Sequence, residues 1–274
     1  MPSVTRPLAL VTGASSGIGA DLARVLAARG YDLVVVARSK DRLQDLAREL
    51  ASHHAAVHIE VEDLAAPGAA ARLADRVRAA GHKVDVLVNN AGFGLTGPFH
   101  QGTPVELSGM IAVNVTALTE FSREFLPDMI ERRRGGILNV ASLAAFQPGP
   151  FMAVYYATKA YVLSFSEALW EECRGTGVTV TALCPGPVET RFAERAAMTD
   201  IRLFASGLMP KMGSAQVAEL GVEGLTHGRR VVVPGLTNRL LALSSGMTPR
   251  ALGLRVTRYL QSSRKRVGVA PDRP

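Results

Sequence analysis

Short apolar runs alternate with longer amphipathic stretches from the first residues of the chain, the pattern of strand followed by helix. The runs predict strands at Leu8 to Thr12, Asp32 to Ala37, Ala56 to Glu60, Val86 to Asn89, Gly136 to Val140, Val178 to Cys184 and Arg230 to Val233. Between them, Asp41 to Leu50 places Leu43, Leu46, Ala47 and Leu50 on one helical face, and Ala69 to Ala80 has the same spacing. About seven strands joined by helices require right-handed crossovers and a mostly parallel sheet covered on both faces, an α/β doubly wound fold. Two segments break the alternation. Residues from Pro187 to Gly213, rich in Met and Phe, form an insertion long enough to act as a lid. The other is a basic extension, residues 237–274, beyond a cofactor-binding unit of residues 1–236. No linker, composition break or internal repeat marks a second globular unit.

Composition narrows the class without naming an activity. Of 274 residues, 47% are hydrophobic and 20% charged, which suits a folded globular chain and is too apolar for a disordered one. The longest apolar runs, such as Leu33 to Ala37, fall far short of the ~20 residues that span a membrane. The N-terminus has neither a basic region nor a long apolar run, which predicts no cleaved export signal. The two cysteines, Cys173 and Cys184, form no disulfide scaffold or zinc spacing, and a reducing cytoplasm fits them. No metal site is expected, since the adjacent His53 and His54 would point apart on a helix. The net charge of +7 lies in the tail: from Arg229 onward there are ten Lys/Arg and one Asp, or +9, leaving −2 for residues 1–228.

The first strand runs into Thr12-Gly13-Ala14-Ser15-Ser16-Gly17-Ile18-Gly19 and then a helix. Glycines at such a turn let the backbone approach a pyrophosphate, and the helix N-terminus supplies free N–H groups and partial positive charge. The spacing is not the common G-x-G-x-x-G, but the strand-turn-helix context is the one a dinucleotide cradle needs. After the second strand, where an acid would accept hydrogen bonds from ribose hydroxyls, stand Ala37-Arg38-Ser39-Lys40. A guanidinium can engage a 2′-phosphate that a carboxylate would repel, so Arg38, helped by Ser39 or Arg42, predicts NADP(H).

The fourth strand ends in Asn89-Asn90-Ala91-Gly92, the fifth in Asn139-Val140-Ala141-Ser142, and Tyr155-Tyr156-Ala157-Thr158-Lys159 follows. Together with the glycine turn, these motifs resemble the short-chain dehydrogenase/reductase family in order and spacing, with Ser142 thirteen residues before Tyr155. The resemblance covers the chain to about residue 235 and implies a Rossmann-type sheet and a nicotinamide cofactor. It also implies that Tyr155 is the general acid or base, that Ser142 orients the substrate oxygen, and that Asn114 anchors a water relay to Lys159. Lys159, one helical turn from Tyr155, would hold the nicotinamide ribose and favour the phenolate. Gly13, Ser15, Ser16, Gly17, Ile18 and Gly19 would hold the pyrophosphate, Asp63 would lie at the adenine, and Leu64, Asn90, Ala91 and Gly92 would also bind the cofactor. Pro185, Gly186, Val188 and Thr190 would surround the carboxamide. Tyr156 fits both spacings worse and reads as packing.

For the substrate, Phe93, Leu95, Phe146, Phe151, Met152 and Phe192, with Phe204 and Met209, are expected to form an apolar wall; Arg191, Arg195 and Arg202 are the candidate carboxylate contacts. The expected activity is NADPH-dependent reduction of a carbonyl on an apolar ketone, aldehyde or 3-oxoacyl group, by a cytoplasmic homo-oligomer, dimer or tetramer. The alternatives are a silent NADP-binding regulatory or scaffold protein and an NAD(P)-dependent alcohol or hydroxysteroid-type dehydrogenase. In the tail, leucines interleave with Arg239, Arg250, Arg255 and Arg258. Such a stretch could meet an anionic membrane or an acidic carrier protein. The preferred expectation is an extension packed on the core or a subunit interface, its arginines in water. Nucleic acid is not an expected partner, because no aromatic-studded basic motif accompanies the charge.

Overall fold

The computed structural model describes residues 6–189 and 211–262. Thr190, Phe192 and the other residues named above between 190 and 210 therefore lie outside the described residues.

Seven strands form one parallel sheet: β1 (Leu8–Thr12), β2 (Asp32–Ala37), β3 (Val57–Val61), β4 (Val84–Asn89), β5 (Gly135–Val140), β6 (Val178–Leu183) and β7 (Val231–Val232), in the order β3-β2-β1-β4-β5-β6-β7. The strands are near-continuous apolar runs because both faces are covered. Alternate residues serve opposite layers. Ala9, Val11, Leu33 and Val35 pack with Leu22 and Leu26 of α1 (Gly17–Ala28), Leu43 and Leu46 of α2 (Lys40–Leu50) and Val217 and Val222 of α7 (Ser214–Thr226). Leu8, Leu10, Val34 and Val36 face the other way, onto Leu73 and Val77 of α3 (Ala69–Ala79) and Phe121, Phe125 and Met129 of α5 (Leu118–Glu131). The remaining α-helices among the described residues are α4 (Pro104–Ile111), α6 (Ala153–Glu172), α8 (Leu236–Met247) and α9 (Arg250–Gln261).

Strand order reverses between β1 and β4, which are neighbours in the sheet but not in sequence. A crevice opens beyond the carboxyl ends of strands at such a reversal, and ligands of open α/β sheets sit there. Most strands shift by a residue or two at an end from the sequence pattern, and two of the shifts have identifiable reasons. β4 begins at Val84 rather than Val86, because the register slips beside Leu8 and Asp85 turns aside to accept hydrogen bonds from the Leu8 N–H (3.1 Å) and Arg132 (2.8 Å). β7 is two residues long, although the Arg230 and Val232 carbonyls still accept from the N–H groups of Ala182 and Cys184.

Between α4 and α5 the chain makes a single π-helical segment, Ala112–Ala117, which holds Asn114. Wider turns of this kind interrupt the usual hydrogen-bond ladder and recur at functional positions.

Candidate active site

At the reversal point the ends of β1 and β4 are stitched together by side chains. Thr12 Oγ1 donates to the Val88 carbonyl (3.1 Å) and accepts from the N–H groups of Asn90 (3.0 Å) and Ala91 (3.1 Å). Asn90 Nδ2 donates back to the Thr12 carbonyl (2.9 Å). This stitching presses the glycine turn against Asn90 and Ala91 so closely that a Cβ on Gly13 would lie 2.8 Å from Ala91 Cα. Gly13 also has φ +67°, and a Cβ on Gly19 would collide with the Gly13 carbonyl. α1 starts at Gly17, inside the glycine turn, and Ser16 before it makes no side-chain cap bond. The first N–H groups of α1 therefore face the crevice unclaimed by a side chain, an arrangement that fits a pyrophosphate.

The crevice is a cleft of about 1640 Å3, larger than the ~1,000 Å3 upper range of a single small-molecule pocket and roomy enough for a cofactor with a substrate. Gly13, Ser15, Ser16, Gly17, Ile18, Arg38, Asp63, Leu64, Asn90, Ala91, Gly92, Pro185, Gly186 and Val188 all line it. So do Ser39 and Arg42. Arg38 and Arg42 are exposed, and among the described residues neither joins an ion pair, whereas nearby Glu62 is already claimed by Arg72 (2.9 Å) and Arg76 (2.8 Å). This end of the cleft presents two unneutralised guanidiniums and a masked carboxylate.

Ser142, Tyr155 and Lys159 meet at the other end. Ser142 caps a short 310 turn, Leu143–Phe146, its Oγ accepting from the Ala144 N–H (3.1 Å), and it is hydrogen-bonded to Tyr155. Tyr155 and Lys159 are both buried on α6, and Lys159 Nζ lies 5.9 Å from the Tyr155 ring centre and donates to the Val140 carbonyl at the end of β5 (2.7 Å). Burial pushes the Tyr155 phenol up to about 12, against the lowering effect of the Ser142 hydrogen bond. Burial likewise pushes Lys159 down to about 8. The ammonium is thus weakly held and the phenol firmly protonated near neutral pH.

Asn114, 1% exposed, spends its side chain on the loop after β4. Its Oδ1 accepts from the Phe93 N–H (3.0 Å), and its Nδ2 donates to the Phe93 carbonyl (2.9 Å) and Thr158 Oγ1 (3.0 Å). It clamps the strand-end loop to α6 one residue before Lys159. A second buried amide chain lies beneath: Asn89 Nδ2 donates to Asn139 Oδ1 (2.9 Å), and Asn139 Nδ2 to Ser166 (2.9 Å), locking the ends of β4 and β5 together.

Phe93, Leu95, Phe146 and Met152 line the cleft as the sequence suggests. Phe151 does not: with φ +67° it turns into a separate, smaller cavity beside Thr96 and Met110, while its carbonyl accepts from the Gly97 N–H. The part of the wall that sequence reasoning missed comes from the tail. Leu241, Leu252, Leu254, Val256 and Gln261 border the cleft, and Gln261 Nε2 donates to the hydroxyl of Tyr156 (2.5 Å). Tyr156, expected as packing, is buried, and its hydroxyl links α6 to α9. Nor do the tail leucines pack on the core; among the described side chains, the buried ones of α8 and α9 are the polar Asn238, Thr257 and Gln261. Both cysteines are buried, and burial pushes the Cys184 thiol up to about 12, which makes it a poor nucleophile. Among the described residues no three His, Cys, Asp or Glu are grouped to hold a metal ion. No helix among them is long and apolar enough to cross a membrane.

Residues 7–200 match the family model described as short chain dehydrogenase. The very-long-chain 3-oxoacyl-CoA reductase of Bos taurus is 34% identical over 192 residues, 68% of this chain, which spans 61% of that protein's length. Hydroxysteroid dehydrogenase-like protein 1 of Gallus gallus is 32% identical over 225 residues, 80% of this chain and 67% of that one. Among solved structures, a short-chain dehydrogenase from Sphingobium yanoikuyae in complex with NADPH aligns with a TM-score of 0.77 at 34% identity, over 88% of this chain and 93% of that one. The bulky-bulky ketone specific alcohol dehydrogenase of Comamonas testosteroni aligns with a TM-score of 0.73 at 30% identity, over the same shares. Because the family match runs through the glycine turn and α6 alike, the chain belongs to the short-chain dehydrogenases, oxidoreductases that work with a nicotinamide dinucleotide.

Proposed function

We propose that this chain is an NADPH-dependent carbonyl reductase acting on bulky, largely apolar ketones, aldehydes or 3-oxoacyl groups. The observation that carries the reading is the hydrogen-bonded Ser142 and Tyr155 pair beside buried Lys159, in the same cleft as two unpaired guanidiniums, Arg38 and Arg42. A bound nicotinamide supplies the hydride for the carbonyl carbon. Ser142 and Tyr155 together hold the carbonyl oxygen, and Tyr155, firmly protonated, gives that oxygen its proton as the alcohol forms. Lys159 holds the nicotinamide ribose and, as a cation next to the phenol, offsets the charge left on Tyr155. Asn114 keeps the Phe93 loop and α6 in register, which preserves the distance between the Tyr155 hydroxyl and the substrate.

Gly13, Gly17 and Gly19 with Ser15, Ser16 and Ile18 cradle the pyrophosphate, Arg38 with Ser39 and Arg42 the 2′-phosphate, and Asp63 and Leu64 the adenine. Asn90, Ala91 and Gly92 flank the ribose, and Pro185, Gly186, Val188 and Thr190 the carboxamide. An apolar substrate follows from Phe93, Leu95, Phe146 and the leucines of α8 and α9, and two of the similar proteins are named for ketone or 3-oxoacyl substrates. We place residues 1–236 as the catalytic unit with 237–274 as its extension, working as a cytoplasmic homo-oligomer. Turnover of a graded ketone panel with NADPH and NADH in parallel tests the reading. NADPH-preferring reduction that improves with substrate bulk is expected; tight NADPH binding with no turnover across the panel would instead make the chain a cofactor-binding scaffold.

A further inference from the structure

Helices α8 and α9 turn their apolar side chains outward. Of the fourteen large hydrophobic residues that stand exposed among the described residues, eight lie between Leu236 and Tyr259, with Leu236 at 73% and Leu243 at 70% exposure. The same two helices carry Arg239, Arg250, Arg255 and Arg258, all exposed, and residues 236–262 contain no Asp or Glu. Most arginines outside the cofactor end of the cleft are matched, as Arg76 is with Glu60 and Glu62; among the described residues none of these four joins an ion pair.

The outward leucines are not awaiting burial against the core. The undersides of the helices are already fixed by polar residues, Asn238 packed on Gly186 and Gln261 bonded to Tyr156. Apolar and cationic groups interleaved along two exposed helices, with no acidic residue among them, suit a surface that is itself apolar with a negative rim. A second copy suits it less. A self-complementary interface would set arginines against arginines with no carboxylate in the segment to offset them.

We propose that α8 and α9 form a docking face for an anionic lipid surface, the leucines entering the headgroup boundary and the arginines meeting lipid phosphates. Leu241, Leu252, Leu254 and Val256 belong both to the exposed face and to the cleft lining, so the cleft mouth opens onto the lipid. Apolar carbonyl compounds would then enter from the bilayer without crossing water. Docking itself does not depend on the catalytic reading, and its test is read from vesicle binding, with turnover serving only as a folding control.

The full chain is sedimented with phosphatidylcholine vesicles, with and without phosphatidylglycerol, at low and high salt. Binding is expected only to the anionic vesicles and is weakened by salt. Arg255→Glu with Arg258→Glu should lower the partition coefficient at least ~30-fold, from about a factor of five for each lost cation and further repulsion from each new acid. Leu240→Ser with Leu243→Ser should lower it ~10-fold or more at unchanged charge. None of these four residues lines the cleft, so melting temperature and turnover of a water-soluble ketone should stay at wild-type values and report intact folding. Wild-type protein that ignores anionic vesicles at low salt overturns the proposal. So does binding that survives the serine pair, which would reduce the face to general electrostatic attraction. Oligomers that fall apart in the serine pair, without vesicle binding by wild type, would give the face to a second copy instead.

Discussion

Replacing Arg38 by Asp puts the cofactor assignment at risk in a measurable way. Arg38 borders the cleft beyond β2, is exposed, and has no ion-pair partner among the described residues, so its guanidinium is free to meet a phosphate. A hydrogen-bonded contact between charged groups contributes about 1.5–3 kcal/mol, and exposure to water puts this one at the lower end. Loss of about 1.5–2 kcal/mol, with repulsion between the new carboxylate and the phosphate, predicts a rise of ~20- to 100-fold in the Kd for NADPH. NADH lacks the 2′-phosphate, and its Kd should move less than ~3-fold or improve, as the new Asp accepts from the ribose hydroxyls. Arg42 stands at the same rim, so Arg38→Asp with Arg42→Ala should widen the gap. Titration of cofactor fluorescence at low and high salt reads all of these quantities, and the wild-type preference should narrow as salt rises. Equal effects on both cofactors, or none on NADPH, would refute an Arg38 contact with the 2′-phosphate.

Asn114→Leu removes three hydrogen bonds and leaves the Phe93 N–H and carbonyl without their partner, at a cost of about 3 kcal/mol or more. Tm should fall by roughly 6–12 °C and kcat by ~100-fold; an unchanged kcat in folded protein would remove Asn114 from the positioning role. Lys159, held down to about 8 by burial, loses its cation as pH rises through that value, so kcat/KM for reduction should be level below pH 7.5 and decline with an inflection near 8. A profile flat to pH 10 would show that the charge on Lys159 is not needed. Gln261→Leu strands the buried Tyr156 hydroxyl and loosens α9 over the cleft, which should raise KM for bulky ketones ~10-fold while leaving kcat on a small ketone within ~2-fold. Parallel losses on both substrates would argue that Gln261 only stabilises the fold.

The sheet was legible because its strands are buried on both faces, and runs such as Leu33 to Ala37 therefore stand out as unbroken apolar segments. The glycine turn was legible too, since only Gly fits where Gly13 meets Ala91. Less visible were features that depend on long-range contacts. Asp85 hides the start of β4 by interrupting its apolar run, although its charge is taken up by Arg132 and the Leu8 N–H. The π-helical turn around Asn114 leaves no mark in apolar spacing, because it is defined by hydrogen bonds alone. Phe151 reads in the sequence as one more apolar wall residue, and its positive φ turns it into the neighbouring cavity. The tail shows the limit of counting leucines. Their spacing on a helix suggests a packed face, yet among the described residues those that α8 and α9 bury are the polar Asn238, set against Gly186, Thr257, and Gln261, bonded to Tyr156.

Tyr155→Phe tests the central claim most directly. The substitution removes one hydroxyl from a buried ring that otherwise remains in place, and the glycine turn and Arg38 are untouched. NADPH should bind with its wild-type Kd, while NADPH oxidation in the presence of the best ketone falls ~1,000-fold or more, toward the general acid's full contribution. Turnover within ~10-fold of wild type, with cofactor still bound, would contradict the assignment of Tyr155 as the proton donor.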